Sequence, residues 1–136
     1  MSTEEEILRD SKVIAVVGLS SNPERPSYRV SHYLKQQGYQ IIPVNPWETE
    51  VLGEVCYPSL TAIPVKVDMV DIFRRSAAVP EIVEEAIKIG AKAVWMQEGV
   101  ISEKAAARAR EAGLKVVMNK CTYKEHRKMV SEKFIC

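Results

Sequence analysis

Short apolar runs alternate with stretches of helical spacing from one end of this chain to the other. The apolar runs span Lys12 to Val17, Gln40 to Val44, Val67 to Phe73, Ala91 to Met96 and Lys115 to Met118. They are apolar nearly throughout rather than alternating, as parallel strands covered on both faces are. Between them the spacing predicts helices over Ser27 to Gln37, Pro80 to Ile89 and Ser102 to Ala112, with Thr122 opening a last one. Thr3 to Asp10 reads as a short lead-in helix, with Thr3 and Glu6 as its capping box; Thr122 and Glu125 form a second. Gly38, Gly90 and Gly113 stand where three of the helices stop. The segment Trp47 to Pro64 is the least regular, with an edge piece or turn at Val51 to Val55 and one helical turn at Ser59 to Ile63. Strictly alternating elements give an α/β fold, a Rossmann-like doubly wound sheet of about five parallel strands with helices on both faces. The length of 136 residues fits one domain over 1–136.

In such sheets ligands bind outside the C-terminal strand ends. The first of these ends reads Gly18-Leu19-Ser20-Ser21-Asn22-Pro23-Glu24-Arg25-Pro26-Ser27 and opens a helix. A glycine lets a phosphate approach the backbone, and a helix N-terminus attracts an anion. Ser20, Ser21 and Ser27 add hydroxyls and Arg25 a charge; the plainer reading is a good turn. The turn has one glycine where a dinucleotide fingerprint has three, and Asn45-Pro46 stands where an NAD site has an acid. Phe73-Arg74-Arg75 follows the third strand, where guanidinium groups suit phosphate. The alternative for these arginines is pairing with Glu81, Glu84 or Glu85. Gln97-Glu98-Gly99 and Asn119-Lys120-Cys121 complete the strand ends. Together they hold no histidine and no pair of acids, a set made to hold an anion rather than to move protons. Trp95, inside a buried strand, reads as core.

The formal net charge of +1 argues against a nucleic-acid partner. No run approaches the roughly 20 apolar residues of a membrane span. The acidic start, Met1-Ser2-Thr3-Glu4-Glu5-Glu6, does not read as a signal peptide, which makes the cytoplasm the expected compartment. Cys56, Cys121 and Cys136 form no disulfide framework, and with only His32 and His126 no metal site is expected.

In order along the chain stand Val17-Gly18-Leu19-Ser20, Arg25 with Ser27, Val44-Asn45-Pro46, Asp71-Ile72-Phe73-Arg74-Arg75, Lys92-Ala93-Val94-Trp95-Met96-Gln97 with Gly99, and Asn119-Lys120-Cys121. This series resembles the small stand-alone CoA-binding proteins. It is similar to the N-terminal CoA-binding domain of the succinyl-CoA synthetase alpha subunit and of NDP-forming acyl-CoA synthetases. The resemblance implies coenzyme A, or an acyl-CoA, as the ligand. It implies that Gly18, Ser20 and Ser21, with Arg25 and Ser27, face the phosphates. Asn45 and Pro46 would border the adenosine, Phe73, Arg74 and Arg75 the opposite wall, and Gln97 to Gly99 the pantetheine arm.

The synthetases add a phosphohistidine loop and an ATP-grasp partner. Here His126 lies on a charged terminal helix without a glycine-rich loop. The expected function is therefore a non-enzymatic carrier, sensor or regulatory module. The competing readings are an NAD(P)-binding protein or small oxidoreductase, and an interaction protein that supplies a CoA site to a protein partner or homodimer, with the basic terminal helix as its surface. For Cys121 two readings stand: a mixed disulfide with the CoA thiol, and an ordinary small residue near a helix cap.

Overall fold

The computed structural model describes residues 2–134; Cys136 lies outside them. The helix α1 (Thr3–Asp10) leads into β1 (Val13–Val17), α2 (Pro26–Gln36) and β2 (Gln40–Val44). A hairpin of β3 (Glu50–Val51) and β4 (Glu54–Val55) and a 3-10 turn at Leu60–Ala62 fill the irregular segment. Then come β5 (Met69–Ile72), a 3-10 turn at Ser76–Ala78, α3 (Val79–Lys88), β6 (Ala93–Met96), α4 (Glu103–Glu111), β7 (Lys115–Val117) and α5 (Thr122–Phe134). Five strands form one sheet in the order β2-β1-β5-β6-β7, and every pairing within it is parallel. The doubly wound sheet expected from the alternation is thus present.

Successive strand residues point to opposite faces, so each strand feeds two cores. Ala15, Val17, Val70, Ile72, Val94 and Met96 pack under α3 and α4 with Val83, Ala86 and Ala106. Ile14, Val16, Met69 and Trp95 pack on the other face with Ile7 and Leu8 of α1, and Val30 and Leu34 of α2. Trp95 is fully buried and its Nε1 donates to the Lys120 carbonyl at 2.8 Å, tying β6 to the turn before α5.

Two caps differ from expectation. Ser2, not Thr3, is the N-cap of α1, its oxygen accepting from the Glu5 N–H at 3.2 Å. Thr122 does not cap α5 through its side chain, because its hydroxyl points into the protein and bonds to buried groups. Ser102 caps α4, accepting from the Ala105 N–H. His126 is also turned inward, with Nδ1 2.6 Å from the Tyr33 hydroxyl. Of the expected basic stretch on α5, Arg127 and Lys128 remain exposed.

The chain winds outward in both directions from β1 and β5, which makes their shared border the switch point of the sheet. There the backbone comes very close. A Cβ on Gly18 would sit 2.3 Å from the Phe73 carbonyl oxygen, and the glycine has φ of +89°. Both facts demand glycine. Gly18→Ala should therefore destabilise the fold by about 2–4 kcal/mol, read as a lowered midpoint in urea unfolding.

Candidate functional site

A cleft of about 600 Å³ opens at this switch point. The turn between β1 and α2 supplies Gly18, Ser20, Arg25, Pro26, Ser27 and Val30; the end of β5 supplies Phe73 and Arg74. Gln97, Glu98 and Val100 follow β6, and Cys121 precedes α5. Seven of the residues singled out from the sequence thus meet in one place: Gly18, Ser20, Arg25, Ser27, Phe73, Arg74 and Gln97.

The turn is braced by its own polar groups. The Ser20 N–H donates to Ser27 Oγ at 3.0 Å, and the Asn22 N–H to Ser20 Oγ at 3.0 Å. Asn45 Nδ2 donates to the Leu19 carbonyl at 3.0 Å, and the Cys56 thiol to the Asn45 carbonyl at 3.4 Å. Burial holds that thiol above its ordinary pKa. Ser21 is exposed, and its N–H donates to the Glu48 carboxylate at 2.8 Å. Ser21 and Asn45 therefore hold the turn's shape from outside the cleft lining. Gly99 and Arg75 are also outside it; the Gly99 N–H donates to Asn119 Oδ1 at 2.8 Å, and Arg75 is exposed at the start of a 3-10 turn. Pro46 lines a neighbouring hollow of about 150 Å³ with Ser59, Leu60, Glu81 and Glu85. Arg74 borders both hollows.

Charge at the cleft is unbalanced. Among the described residues neither Arg25 nor Arg74 nor Arg75 forms an ion pair, although Glu81 and Glu85 share a hollow with Arg74. The N-terminal end of α2 opens here with no acid in its first turn, so its partial positive charge is left unneutralised. Glu98, the one acid lining the cleft, is engaged by Lys124 at 3.0 Å, and that contact raises the lysine's pKa. No group of three His, Cys, Asp or Glu side chains suited to a metal occurs among the described residues. The arrangement is a cationic mouth with an apolar wall of Val30, Phe73 and Val100.

Beneath Gln97 lies a cluster that the strand-end reading passed over. Asp71 is fully buried in β5, where Gln97 Nε2 donates to its Oδ1 at 2.6 Å. The same Nε2 donates to Thr122 Oγ1 at 2.8 Å. Burial pushes the Asp71 carboxyl up to about 7, against the opposing pull of hydrogen bonds from Gln97 and Thr122. The available signal was an acid inside Met69-Val70-Asp71-Ile72, since a buried carboxyl must find partners.

A family model described as "CoA binding domain" matches residues 12–127. The chain belongs to the CoA binding domain family. Within it, the chain is similar to the uncharacterized protein YneT of Bacillus subtilis, 43% identical over 121 residues, covering 89% of this chain and 90% of that one. It is also similar to an ADP-forming acetate–CoA ligase II of Archaeoglobus fulgidus, 36% identical over 94 residues, which cover 68% of this chain and only 14% of the ligase. A hypothetical protein from Pyrococcus horikoshii OT3 has the same fold, with a TM-score of 0.92 and 44% identity over 96% of this chain and 93% of that one. The described residues contain no helix long and apolar enough to cross a membrane.

The raised Asp71 pKa has a measurable sign. From its ordinary value of 3.8 up to about 7 the folded protein holds a proton that the unfolded chain has lost. Stability from this residue is therefore full below about 4 and falls as pH rises toward about 7. Urea unfolding across that window should show a decline in the wild type that is smaller in Asp71→Asn.

Proposed function

We propose that this protein binds coenzyme A or an acyl-CoA in the cleft between β1, β5 and β6, as a carrier, sensor or regulatory module and not as an enzyme. The observation that carries this is the convergence of Arg25, Arg74 and the N-terminus of α2 on one cleft, with neither arginine ion-paired among the described residues. Guanidinium groups and a helix N-terminus are what phosphates require. Gly18, Ser20, Ser27, Arg25 and Arg74 take the phosphates in this reading. The adenosine lies toward Asn45 and Pro46, in the hollow that Arg74 shares. Phe73 forms the opposite wall, and Arg75 stands exposed outside the lining. Ser21 acts on the phosphates through the turn it braces, and Gly99 shapes the loop beside the pantetheine arm.

The non-enzymatic part of the reading rests on the cleft's ionisable groups. Glu98 is paired with Lys124, and Asp71 is sealed from solvent. Neither is arranged with a base beside a nucleophile. His126, the residue to compare with a phosphohistidine, packs edge-on against Tyr33 and Tyr39, outside the cleft lining.

Thermal unfolding with CoA, acetyl-CoA, NADH, NADPH and ATP tests the proposal. A ligand at about 100 times its Kd adds roughly 2.7 kcal/mol, seen as a raised Tm. CoA or its esters should raise the Tm, and Arg74→Ala should weaken their binding about ten-fold or more. A response to NADH or NADPH alone would move the protein to the nicotinamide-binding class, and no response to CoA would overturn the proposal.

A further inference from the structure

Gln97 meets the cleft from the end of β6, and both N–H groups of its amide are engaged below it. One goes to Asp71 Oδ1 and the other to Thr122 Oγ1, while the Thr122 hydroxyl donates to Asp71 Oδ2 at 3.5 Å. Asp71, Gln97 and Thr122 are all buried. Once Asp71 has lost its proton, above about pH 7, the ring has one consistent set of directions. An ionised carboxylate only accepts, so it takes the amide N–H and the hydroxyl proton, and the threonine oxygen is then free to accept the second amide N–H. Rotating the amide by half a turn would set Oε1 against the ionised carboxylate and lose the bond to Asp71.

This leaves Oε1 as the polar atom that Gln97 offers. It takes no partner among the described residues, and the fully enclosed oxygens without a partner are Ser31 Oγ and Glu85 Oε1 instead. Oε1 is thus neither bonded nor fully enclosed, and Gln97 lines the cleft in company with Val100, Phe73 and Cys121. An acceptor held in such surroundings is matched by an N–H donor and leaves a ligand without one at a disadvantage.

We infer that Asp71, with Thr122, is a positioning residue that locks Gln97 with its carbonyl oxygen toward the cleft, where it accepts a hydrogen bond from an amide N–H of the bound ligand. The inference rests on the reading of the ligand as a coenzyme A, whose pantetheine arm carries secondary amides. It assigns Gln97 to discrimination between ligands with and without that arm, while the arginines serve the phosphates common to both.

Titration calorimetry on the full chain, buffered well above the pH of about 7 at which Asp71 ionises, separates these roles, using CoA and adenosine 3′,5′-bisphosphate, which lacks the arm. Gln97→Met should lower CoA affinity about ten-fold, the worth of one hydrogen bond, and leave the bisphosphate within about two-fold. Asp71→Leu should do the same by releasing the amide. Asp71→Asn keeps an acceptor and should retain the wild-type ratio of the two affinities within about two-fold. Circular dichroism checks folding, and if Asp71→Leu fails to fold, Gln97→Met set against Asp71→Asn decides. An unchanged affinity ratio in Gln97→Met overturns the inference, as does a loss of ratio in Asp71→Asn as large as in Gln97→Met. Wild-type protein that binds no CoA overturns the proposed function itself, an outcome distinct from binding with an unchanged ratio.

Discussion

The contact between Gly18 and the Phe73 carbonyl is the constraint on which the rest of the site depends. Parallel pairing of β1 with β5 ends with the Phe73 N–H on the Val17 carbonyl at 2.9 Å, and the next backbone step brings Gly18 against Phe73. Any side chain at 18 would push the two strand ends apart. With none, the stem of Arg74 lies along the glycine and the guanidinium reaches the same space as the opening turn of α2. Sheet topology, turn conformation and the location of positive charge are thus one problem with a single answer.

Around that point the protein separates the polar groups that shape from those left free. Acids near the site are largely engaged: Glu48 with the Ser21 N–H, Glu98 with Lys124, and Asp71 with Gln97. Cations within the cleft are not. This asymmetry creates a local positive field in a chain whose formal net charge is only +1. The hydroxyls and amides of the first turn bond to one another, which fixes the geometry of the cleft's mouth.

Much of this was legible in the sequence. The alternation of apolar runs with helical periods carries the sheet and its two helical layers, because each strand is buried on both faces. The strand-end rule then places Gly18, Arg25, Phe73, Arg74 and Gln97 together. What sequence spacing could not reveal are bonds between residues far apart in the chain. The bond from the Ser21 N–H to Glu48 and that from the Asn45 amide to the Leu19 carbonyl are of this kind. Thr122 fits a capping box by spacing, but its hydroxyl has a better use toward Asp71. A cap is a local rule, and a buried carboxyl outranks it because an unmet partner in the interior costs more than a frayed helix turn.

Asp71 also separates two ways of engineering this protein. A designer seeking only robustness would fill positions 71, 97 and 122 with apolar side chains of similar volume, since a buried polar set is often no more stabilising than well-packed hydrocarbon. The resulting sheet would be a firmer scaffold with a blank floor to its cleft. Position 71 is thus where optimisation for shelf life and optimisation for molecular recognition part company.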